Sequence, residues 1–337
     1  MGDSSPPSSI HPLSQRPTYT KAQLSKYVAH IFPPSYTLST LEADIKANPL
    51  ATLSQLQLYH LSKIPWGNVA MHYSAHRTLS LDTEALFTKI VDRGLGGYCM
   101  ENNLFFATVL RSLGYELYLT GGRVSNTVGN SGRDSDGFRG WEHMVILANV
   151  NERTYHVDVG FGSQGPAAPL LLKEGETSGV VPGNWVRLSR RRIAQNTSGQ
   201  VMWVLEIRNQ SVGEWNPGYC FTELEFLEED FWNLNFRTHR DPTSWFTYTL
   251  VVTRVLLEGE EDGGKGDWEK AVGTVTLVNR SVSRRTGGGK SEVMQEFESE
   301  GERVMALEKW FGVKLREDEV NGIVGMATHI RQPMTGV

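Results

Sequence analysis

Cysteine is scarce in this sequence, which has two cysteines, Cys99 and Cys220, among 337 residues. Secreted domains that are held together by disulfides carry cysteine at a much higher density. The scarcity therefore excludes a disulfide-built scaffold and favours a reducing, cytoplasmic location. Residues 1–16 also lack the apolar core of a secretory signal; they are polar and rich in proline, and they predict a flexible tail.

Long apolar runs and an excess of positive charge are both missing. No uninterrupted apolar stretch approaches the roughly 20 residues that a helix needs to cross a bilayer. The formal net charge is −5 at pH 7, so no general electrostatic attraction draws the protein to nucleic acid or to an anionic membrane. We therefore expect neither nucleic acid nor a membrane among its partners.

The spacings that mark metal and nucleotide sites are absent as well. The sequence has no CxxC pair, no HExxH helix, no EF-hand loop and no Walker A motif. The run GGGK at 287–290 lacks the preceding strand and the following helix of a phosphate-binding loop, and it is typical of a turn. We therefore expect no bound metal.

Hydrophobic patterning divides the chain after residue 16 into three parts. Hydrophobic residues make up 39% of the chain and charged residues 21%, which is typical of a globular protein with a sizeable core. Residues 17–114 show helical spacing, and residues 115–228 form short alternating segments that predict an antiparallel sheet or small barrel. Residues 229–337 mix a short helix with strands and a second helix. The pattern predicts an α+β fold.

The stretch DRGLGGYCMENN places Cys99 directly after a glycine pair, where a helical pattern begins. Unpaired N–H groups and the helix dipole favour a thiolate at a helix start. A thiolate is the nucleophilic form of cysteine, so Cys99 is a candidate for covalent catalysis. The alternative is a buried cysteine that fills space near the helix start.

A nucleophilic cysteine needs a base and a group that orients the base. His143 begins the strand pattern HMVILANV, and Asp158 lies in the apolar run of the next strand, TYHVDVGFG. A carboxylate in such a run is costly unless it is paired, and an imidazole on the neighbouring strand would pair it. Cys99, His143 and Asp158 therefore form a candidate nucleophile, base and orienter. His156 is a rival base on the carboxylate's own strand.

Two further histidines, His72 and His76, fall in a polar stretch between helices. We interpret both as solvent-facing.

The motif around Cys99 resembles the R-G-G-x-C-x-E-x-N signature of the arylamine N-acetyltransferases. Further stretches resemble that family in the same order along residues 21–315: IPWGNVAMH, HMVILANV, YHVDVGFG and YCFTELEFLEEDFWNLNFRTHRDPTSWF. The resemblance implies a cysteine-protease-like core. Its layout is an N-terminal helical bundle, a central antiparallel β-barrel and a C-terminal α/β lid, with the interdomain helix at the start of 229–337.

The resemblance also implies a ping-pong reaction. Cys99 would take an acyl group from acetyl-CoA or another acyl-CoA, and an arylamine or hydrazine would then remove it, as in xenobiotic metabolism. His143 would move the proton, Asp158 would fix its tautomer, and the Cys99 amide would be one oxyanion donor. The acyl group stays open among acetyl, propionyl and malonyl, and the amine and the oligomeric state stay open too.

By resemblance, four residues approach coenzyme A and one lines the acceptor pocket. Gly140 and Thr243 correspond to coenzyme A contacts, and Arg139 and Arg237 lie beside them where they could meet phosphates. Solvated surface charges are the alternative for both arginines. Phe161 corresponds to the acceptor pocket, with core packing as its alternative.

Two positions depart from the family pattern. Leu95 replaces the arginine of R-G-G, and Gly67 replaces the glutamate of I-P-F-E-N. Because both charges are lost together, neither is left unpaired. Arg93 is a candidate substitute charge.

Two other functions remain open at the level of sequence. One is a transglutaminase-like or other Cys-His-Asp thiol hydrolase, since that order of residues also occurs there. The other is an inactive homologue that binds coenzyme A or an aromatic ligand, which the loss of two signature charges would allow.

Overall fold

A computed structural model describes residues 15–129, 137–179, 181–209, 213–259, 270–287 and 289–331. Most of the predicted tail, 1–16, lies outside these residues, and so does part of the turn predicted at 287–290. No helix in the described ranges is long and apolar enough to cross a membrane.

Helices build the first part of the described chain, and polar caps set where they begin. Side-chain oxygens of Thr20, Thr37, Asn48 and Asp82 each accept a hydrogen bond from a first-turn backbone N–H. The Asn48 cap and the following proline divide one long helical pattern into two helices. The helices are α1 (Lys21–Ile31), α2 (Leu38–Ala47), α3 (Pro49–Lys63), α4 (Val69–His72), α5 (Thr83–Phe87) and α6 (Cys99–Ser112).

Helix α6 is the centre of this part. All residues from Cys99 to Leu110 are buried, so the helix is enclosed on every side. Its aromatic residues Phe105 and Phe106 join an apolar cluster that extends from the other helices into the strands that follow. A π-helical turn, Thr88–Asp92, continues α5 towards the start of α6.

Within the described ranges an eight-stranded antiparallel sheet follows and curls into a nearly closed barrel. The order of its strands is β5-β4-β3-β2-β9-β8-β7-β6. The strands are β2 (Glu116–Ser125), β3 (Phe138–Val150), β4 (Arg153–Val157), β5 (Leu170–Leu171), β6 (Thr177–Gly179), β7 (Asn184–Arg192), β8 (Val201–Asn209) and β9 (Asn216–Phe221). Strands β2 and β3 lie against α6.

A second antiparallel sheet belongs mainly to the C-terminal part. Its order is β1-β10-β11-β12-β13, and its own apolar cluster is separate from the first. The remaining elements are β1 (Trp66–Gly67), α7 (Glu228–Arg240), α8 (Trp245–Tyr248), β10 (Val251–Leu257), β11 (Ala271–Val278), β12 (Ser281–Thr286), β13 (Glu292–Glu296), α9 (Glu300–Phe311) and α10 (Glu317–Asn321).

The short strand β1 connects this second sheet to the helical part. Trp66 pairs with Thr253 of β10, and the Gly67 N–H donates to the Gly97 carbonyl at 2.9 Å. The C-terminal sheet is thereby joined to the residues just before Cys99. The α+β class and the order of helices, barrel and mixed C-terminal part are confirmed, while the exact domain boundaries stay a prediction.

Candidate active site

Cys99 is the first residue of α6, as the sequence predicted. Gly96 lets the chain before Cys99 pass close to Pro65. Its φ is +63°, which favours glycine, and a Cβ at Gly96 would lie 2.0 Å from the Pro65 carbonyl oxygen. The Glu101 carboxylate accepts a hydrogen bond from the Tyr98 N–H at 3.2 Å and so caps the helix start. This local geometry brings the Cys99 thiol to the junction of helix and barrel.

The Cys99 thiol is buried and lies 3.6 Å from the Glu142 carbonyl oxygen. Burial raises its pKa well above the usual range, and the carboxylates of Glu142 and Asp158 raise the pKa further. A hydrogen bond from the Met100 N–H at the helix start acts in the opposite direction. Burial outweighs the helix start, so the resting group is a thiol rather than the expected thiolate.

His143 and Asp158 meet as the sequence predicted. The His143 Nε2 lies 2.8 Å from the Asp158 Oδ2, and both side chains are fully buried. His143 comes from β3, and Asp158 lies one residue beyond the end of β4. Because the carboxylate accepts the Nε2 proton, the neutral ring presents Nδ1 as its basic nitrogen.

Four donors hold the Asp158 carboxylate. Its Oδ2 accepts from His143 and from the Tyr219 hydroxyl at 2.6 Å, and its Oδ1 accepts from Asn103 Nδ2 at 2.8 Å and the Gly160 N–H at 2.7 Å. Burial alone would raise the pKa of Asp158, but the attraction of His143 and the other donors lowers it to about 2. The carboxylate is therefore ionised at neutral pH.

The rival base His156 has a different place. Its Nε2 donates to the Tyr219 hydroxyl at 2.6 Å, so His156 reaches Asp158 only through Tyr219. Burial lowers the pKa of His156 to about 4, which keeps it neutral. Sequence reasoning missed the roles of Tyr219 and Asn103 as partners of Asp158, although both stand inside the motifs that carried the family resemblance.

A cavity of about 280 Å³ opens beside Cys99 and His143. Phe161 lines it, with its ring centroid 5.3 Å from that of His143, and its role towards an acceptor stays a prediction. Three aromatic residues that sequence reasoning did not single out line it as well: Trp66, Trp245 and Phe246. The cavity is suited to a planar apolar group.

A smaller cavity, of about 140 Å³, adjoins the first. Both are lined by Arg139 and Glu142, together with the Trp245–Phe246 pair. Arg237 and Thr243 line the smaller cavity but not the larger one.

The fourth predicted coenzyme A contact, Gly140, lies next to Arg237: a Cβ at this glycine would be 3.2 Å from Arg237 Nη1. The structure thus brings these four residues together at or beside the smaller cavity.

The two departures from the family pattern have a steric and a packing reason. A Cβ at Gly67 would lie 2.5 Å from the Val251 carbonyl oxygen, so the β1 and β10 backbones leave no room for a side chain. Leu95 packs against the apolar cluster of the C-terminal part. The cation that faces the motif glutamate is Lys89, whose Nζ lies 2.5 Å from Glu101 Oε1.

Arg93 does not supply the missing charge beside Cys99. It forms a two-pronged ion pair with Glu319 of α10, at 3.1 and 2.9 Å. The suggestion that Arg93 substitutes for the family arginine is therefore wrong, because its side chain points to the C-terminal part.

His72 is not solvent-facing, which corrects the sequence-based interpretation. It is fully buried, its Nε2 donates to the Phe246 carbonyl at 3.0 Å, and the Thr328 hydroxyl donates to its Nδ1 at 2.9 Å. Partners 174 and 256 residues away give no local signal. His76 is exposed, as expected. Within the described ranges no group of three or more His, Cys, Asp or Glu side chains is arranged to hold a metal ion.

Comparison with known proteins places this geometry in a family. The N-acetyltransferase family profile matches residues 49–320. The chain is 36% identical over 327 residues to the N-malonyltransferase FDB2 of Fusarium pseudograminearum (strain CS3096), a match that covers 91% of this chain and 93% of that protein. It is 31% identical over 216 residues to an arylamine N-acetyltransferase of Escherichia coli (strain K12), covering 64% of this chain and 68% of that protein.

A solved structure agrees with these sequence matches. The arylamine N-acetyltransferase from Salmonella typhimurium matches with a TM-score of 0.70 and 26% sequence identity, covering 90% of this chain and 97% of the other. The fold, the family profile and the similarity along nearly the whole chain lead to one conclusion. The protein belongs to the arylamine N-acetyltransferase family of acyltransferases.

Proposed function

We propose that this protein transfers the acyl group of an acyl-CoA to an aromatic amine or hydrazine through an acyl-Cys99 intermediate. One observation carries the proposal: Cys99 and His143 line a single aromatic cavity, and the Asp158 carboxylate accepts a hydrogen bond from His143 Nε2. A nucleophile, a base and an orienting carboxylate in that arrangement suit acyl transfer.

The first half-reaction is acylation of Cys99. Because Asp158 holds the Nε2 side of His143, the Nδ1 side is available to take the Sγ proton as the donor arrives. The sulfur attacks the thioester carbon, the carbon–sulfur bond to coenzyme A breaks, and the departing thiolate takes the proton back from His143. Asp158 stabilises the imidazolium while it exists.

The second half-reaction returns the enzyme to its starting state. The amine nitrogen attacks the carbonyl carbon of acyl-Cys99, His143 accepts the amine proton, and the thiolate of Cys99 leaves. The thiolate then takes that proton from His143, which restores the thiol and the neutral imidazole. The Cys99 N–H lies at the start of α6, where backbone donors are unsatisfied, and it is one donor for the oxyanion in both steps. Phe161 and Trp66 would stack on the aromatic ring of the acceptor.

Coenzyme A would enter through the smaller cavity. Arg237 and Thr243 line that cavity, and Gly140 adjoins Arg237 without a side chain that would block the approach. In this assignment the coenzyme A chain passes over these residues and brings its thioester to Cys99. No metal takes part in the proposed reaction.

We propose malonyl-CoA as the preferred donor, with acetyl-CoA as the main alternative. The support is the similarity, along 91% of the chain, to a protein named as an N-malonyltransferase. A thiol hydrolase and an inactive binder are the competing functions. Family membership disfavours the hydrolase, and the intact Cys99, His143 and Asp158 arrangement disfavours an inactive homologue.

Steady-state kinetics test the reaction type. With malonyl-CoA and 4-methoxyaniline, the account predicts an N-malonyl anilide as product and parallel double-reciprocal plots, as a ping-pong mechanism requires. Cys99→Ala is expected to abolish turnover, whereas the control Cys220→Ala, which changes the other buried cysteine, leaves it intact. Release of coenzyme A without formation of the anilide would favour the hydrolase.

A further inference from the structure

Among the described residues, one cationic side chain lines the cavity that holds Cys99. The described lining combines aromatic, small and polar residues with His143, Glu142 and one arginine, Arg139. Its side chain is 14% exposed, so most of the guanidinium is shielded from water. A charge in such a place is costly unless it has a function or a full set of partners.

The partners of Arg139 leave part of its guanidinium unused. Nη1 donates to Glu142 Oε1 at 3.3 Å, and Nη2 donates to the Val128 carbonyl oxygen. Nε is buried and has no hydrogen-bond partner among the residues that the structure describes. A guanidinium carries five N–H donors, so donors beyond these two hydrogen bonds are available to a carboxylate that reaches Arg139 in the cavity it lines.

The two arginines of the site differ in position. Arg237 lines the smaller cavity but not the one that holds Cys99, and its side chain is 56% exposed beside Asp241. Arg139 lines both cavities, which places it between the coenzyme A entrance and the thiol. By resemblance alone, both arginines share one expected partner, a phosphate of coenzyme A.

We propose that Arg139 is the specificity-determining residue for the acyl group and binds the free carboxylate of a malonyl donor beside Cys99. The proposal rests on the proposed function, because it assumes that Cys99 is acylated from an acyl-CoA.

Malonyl differs from acetyl by one carboxylate, placed one methylene beyond the thioester carbonyl. Burying that anion in an aromatic cavity is unfavourable unless a cation meets it. Glu142, on the same cavity wall, would repel it, so the remaining donors of Arg139 must outweigh that repulsion. An acetyl group makes no use of these donors.

The test compares two donors and three variants. Acylation is followed as coenzyme A release without an amine, with malonyl-CoA and acetyl-CoA in separate reactions. Arg139→Gln is expected to lower the rate constant for malonyl-CoA between about 10- and 100-fold, the range that a lost charged hydrogen bond gives, and to leave acetyl-CoA within about threefold. Arg139→Lys keeps the charge but not the paired N–H donors of the guanidinium. Its rate constant for malonyl-CoA should therefore lie between those of the unaltered protein and Arg139→Gln.

Arg237→Gln is the matched control. It is expected to slow both donors by the same factor, because it lies on the coenzyme A side of the site. Thermal melting shows whether each variant is folded. If Arg139→Gln does not fold, the test uses Arg139→Lys, whose ratio of the malonyl-CoA to the acetyl-CoA rate constant should be lower than that of the unaltered protein.

The possible results separate the two proposals. If Arg139→Gln slows both donors equally, or neither, the role given to Arg139 is wrong while the acyl-transfer function stands. If the unaltered protein uses acetyl-CoA and refuses malonyl-CoA, the role is likewise wrong. If neither donor acylates Cys99, the proposed function fails, and the role of Arg139 fails with it.

Discussion

At the scale of single residues, Cys99 shows two opposing influences on one thiol. The start of α6 favours a thiolate, while burial and the neighbouring carboxylates of Glu142 and Asp158 raise the pKa. The second influence is larger, so the thiol stays protonated until a base accepts its proton. In the proposed mechanism this makes the orientation of His143, and therefore the support of Asp158, decisive for the reactivity of Cys99.

Tyr219 provides the sharpest residue-scale prediction. Tyr219→Phe removes one donor to Asp158 and leaves His156 Nε2 without its acceptor. We expect a loss of about 1–3 kcal/mol in the free energy of unfolding and a roughly tenfold slower acylation of Cys99. The pKa of Asp158 would rise from about 2 yet stay far below neutrality, so the acylation profile between pH 6 and 8 should keep its shape.

A second tyrosine gives the matched control. Tyr36 donates to Asp44 Oδ2 at 2.5 Å, outside the lining of the Cys99 cavity. Tyr36→Phe should lower stability without slowing acylation. Equal acylation rates for Tyr219→Phe and the unaltered protein would contradict a positioning role for Tyr219.

At the scale of elements, β1 has an importance that its two residues do not suggest. It links the C-terminal sheet to the residues before Cys99, and Trp66 Nε1 donates to the Gly160 carbonyl at 2.6 Å. Gly67 and Leu95, where the family's charged residues are replaced, lie at this junction of β1 with the residues before Cys99, which we call the seam. A backbone link between Gly67 and Gly97 and apolar packing of Leu95 hold it together, while Lys89 neutralises Glu101.

Gly67→Ala tests the seam. The added methyl would lie 2.5 Å from the Val251 carbonyl and 3.0 Å from the Val252 Cα, so the strands must separate. We expect a loss of roughly 1–3 kcal/mol in denaturant unfolding. The control is Gly301→Ala in the exposed first turn of α9, where an added Cβ meets nothing within 4 Å, and it should be neutral or stabilising. Equal free energies of unfolding for Gly67→Ala and Gly301→Ala would show that β1 and β10 can separate without loss of stability.

How far the sequence predicts each element depends on how local its determinants are. The caps at Thr20 and Asp82 and the start of α6 are set by neighbouring residues, and they could be predicted. The burial of His72 depends on Phe246 and Thr328, far away in sequence, and could not. The same holds for the candidate site: its candidate catalytic residues stand in local motifs, whereas the partners that hold Asp158 come together only in the folded barrel.

At the scale of the whole molecule, buried histidines predict how stability changes with pH. Burial lowers the pKa of His60 to about 3 and that of His72 and His156 to about 4. The unfolded chain titrates these groups near 6.5. Their contribution to stability is therefore complete above pH 6.5 and is lost as the pH falls towards 4, by roughly 1.4 kcal/mol per pH unit for each histidine.

Urea unfolding at pH 7.5, 6.0 and 5.0 checks this expectation. The free energy of unfolding should fall steeply across that range, and the exposed His76, changed to alanine, should not alter the slope. A stability that is flat between pH 7.5 and 5.0 would mean that these histidines are not held neutral in the folded protein.

The central claim concerns the whole assembly of helix, barrel and lid around one thiol, and intact-protein mass spectrometry tests it most directly. The protein is incubated with equal concentrations of malonyl-CoA and acetyl-CoA and no amine. The account predicts a mass increase of one malonyl group, located on Cys99 by peptide mapping, absent in Cys99→Ala and discharged by an aromatic amine. An unmodified protein, or an acyl group that persists in Cys99→Ala, would contradict it.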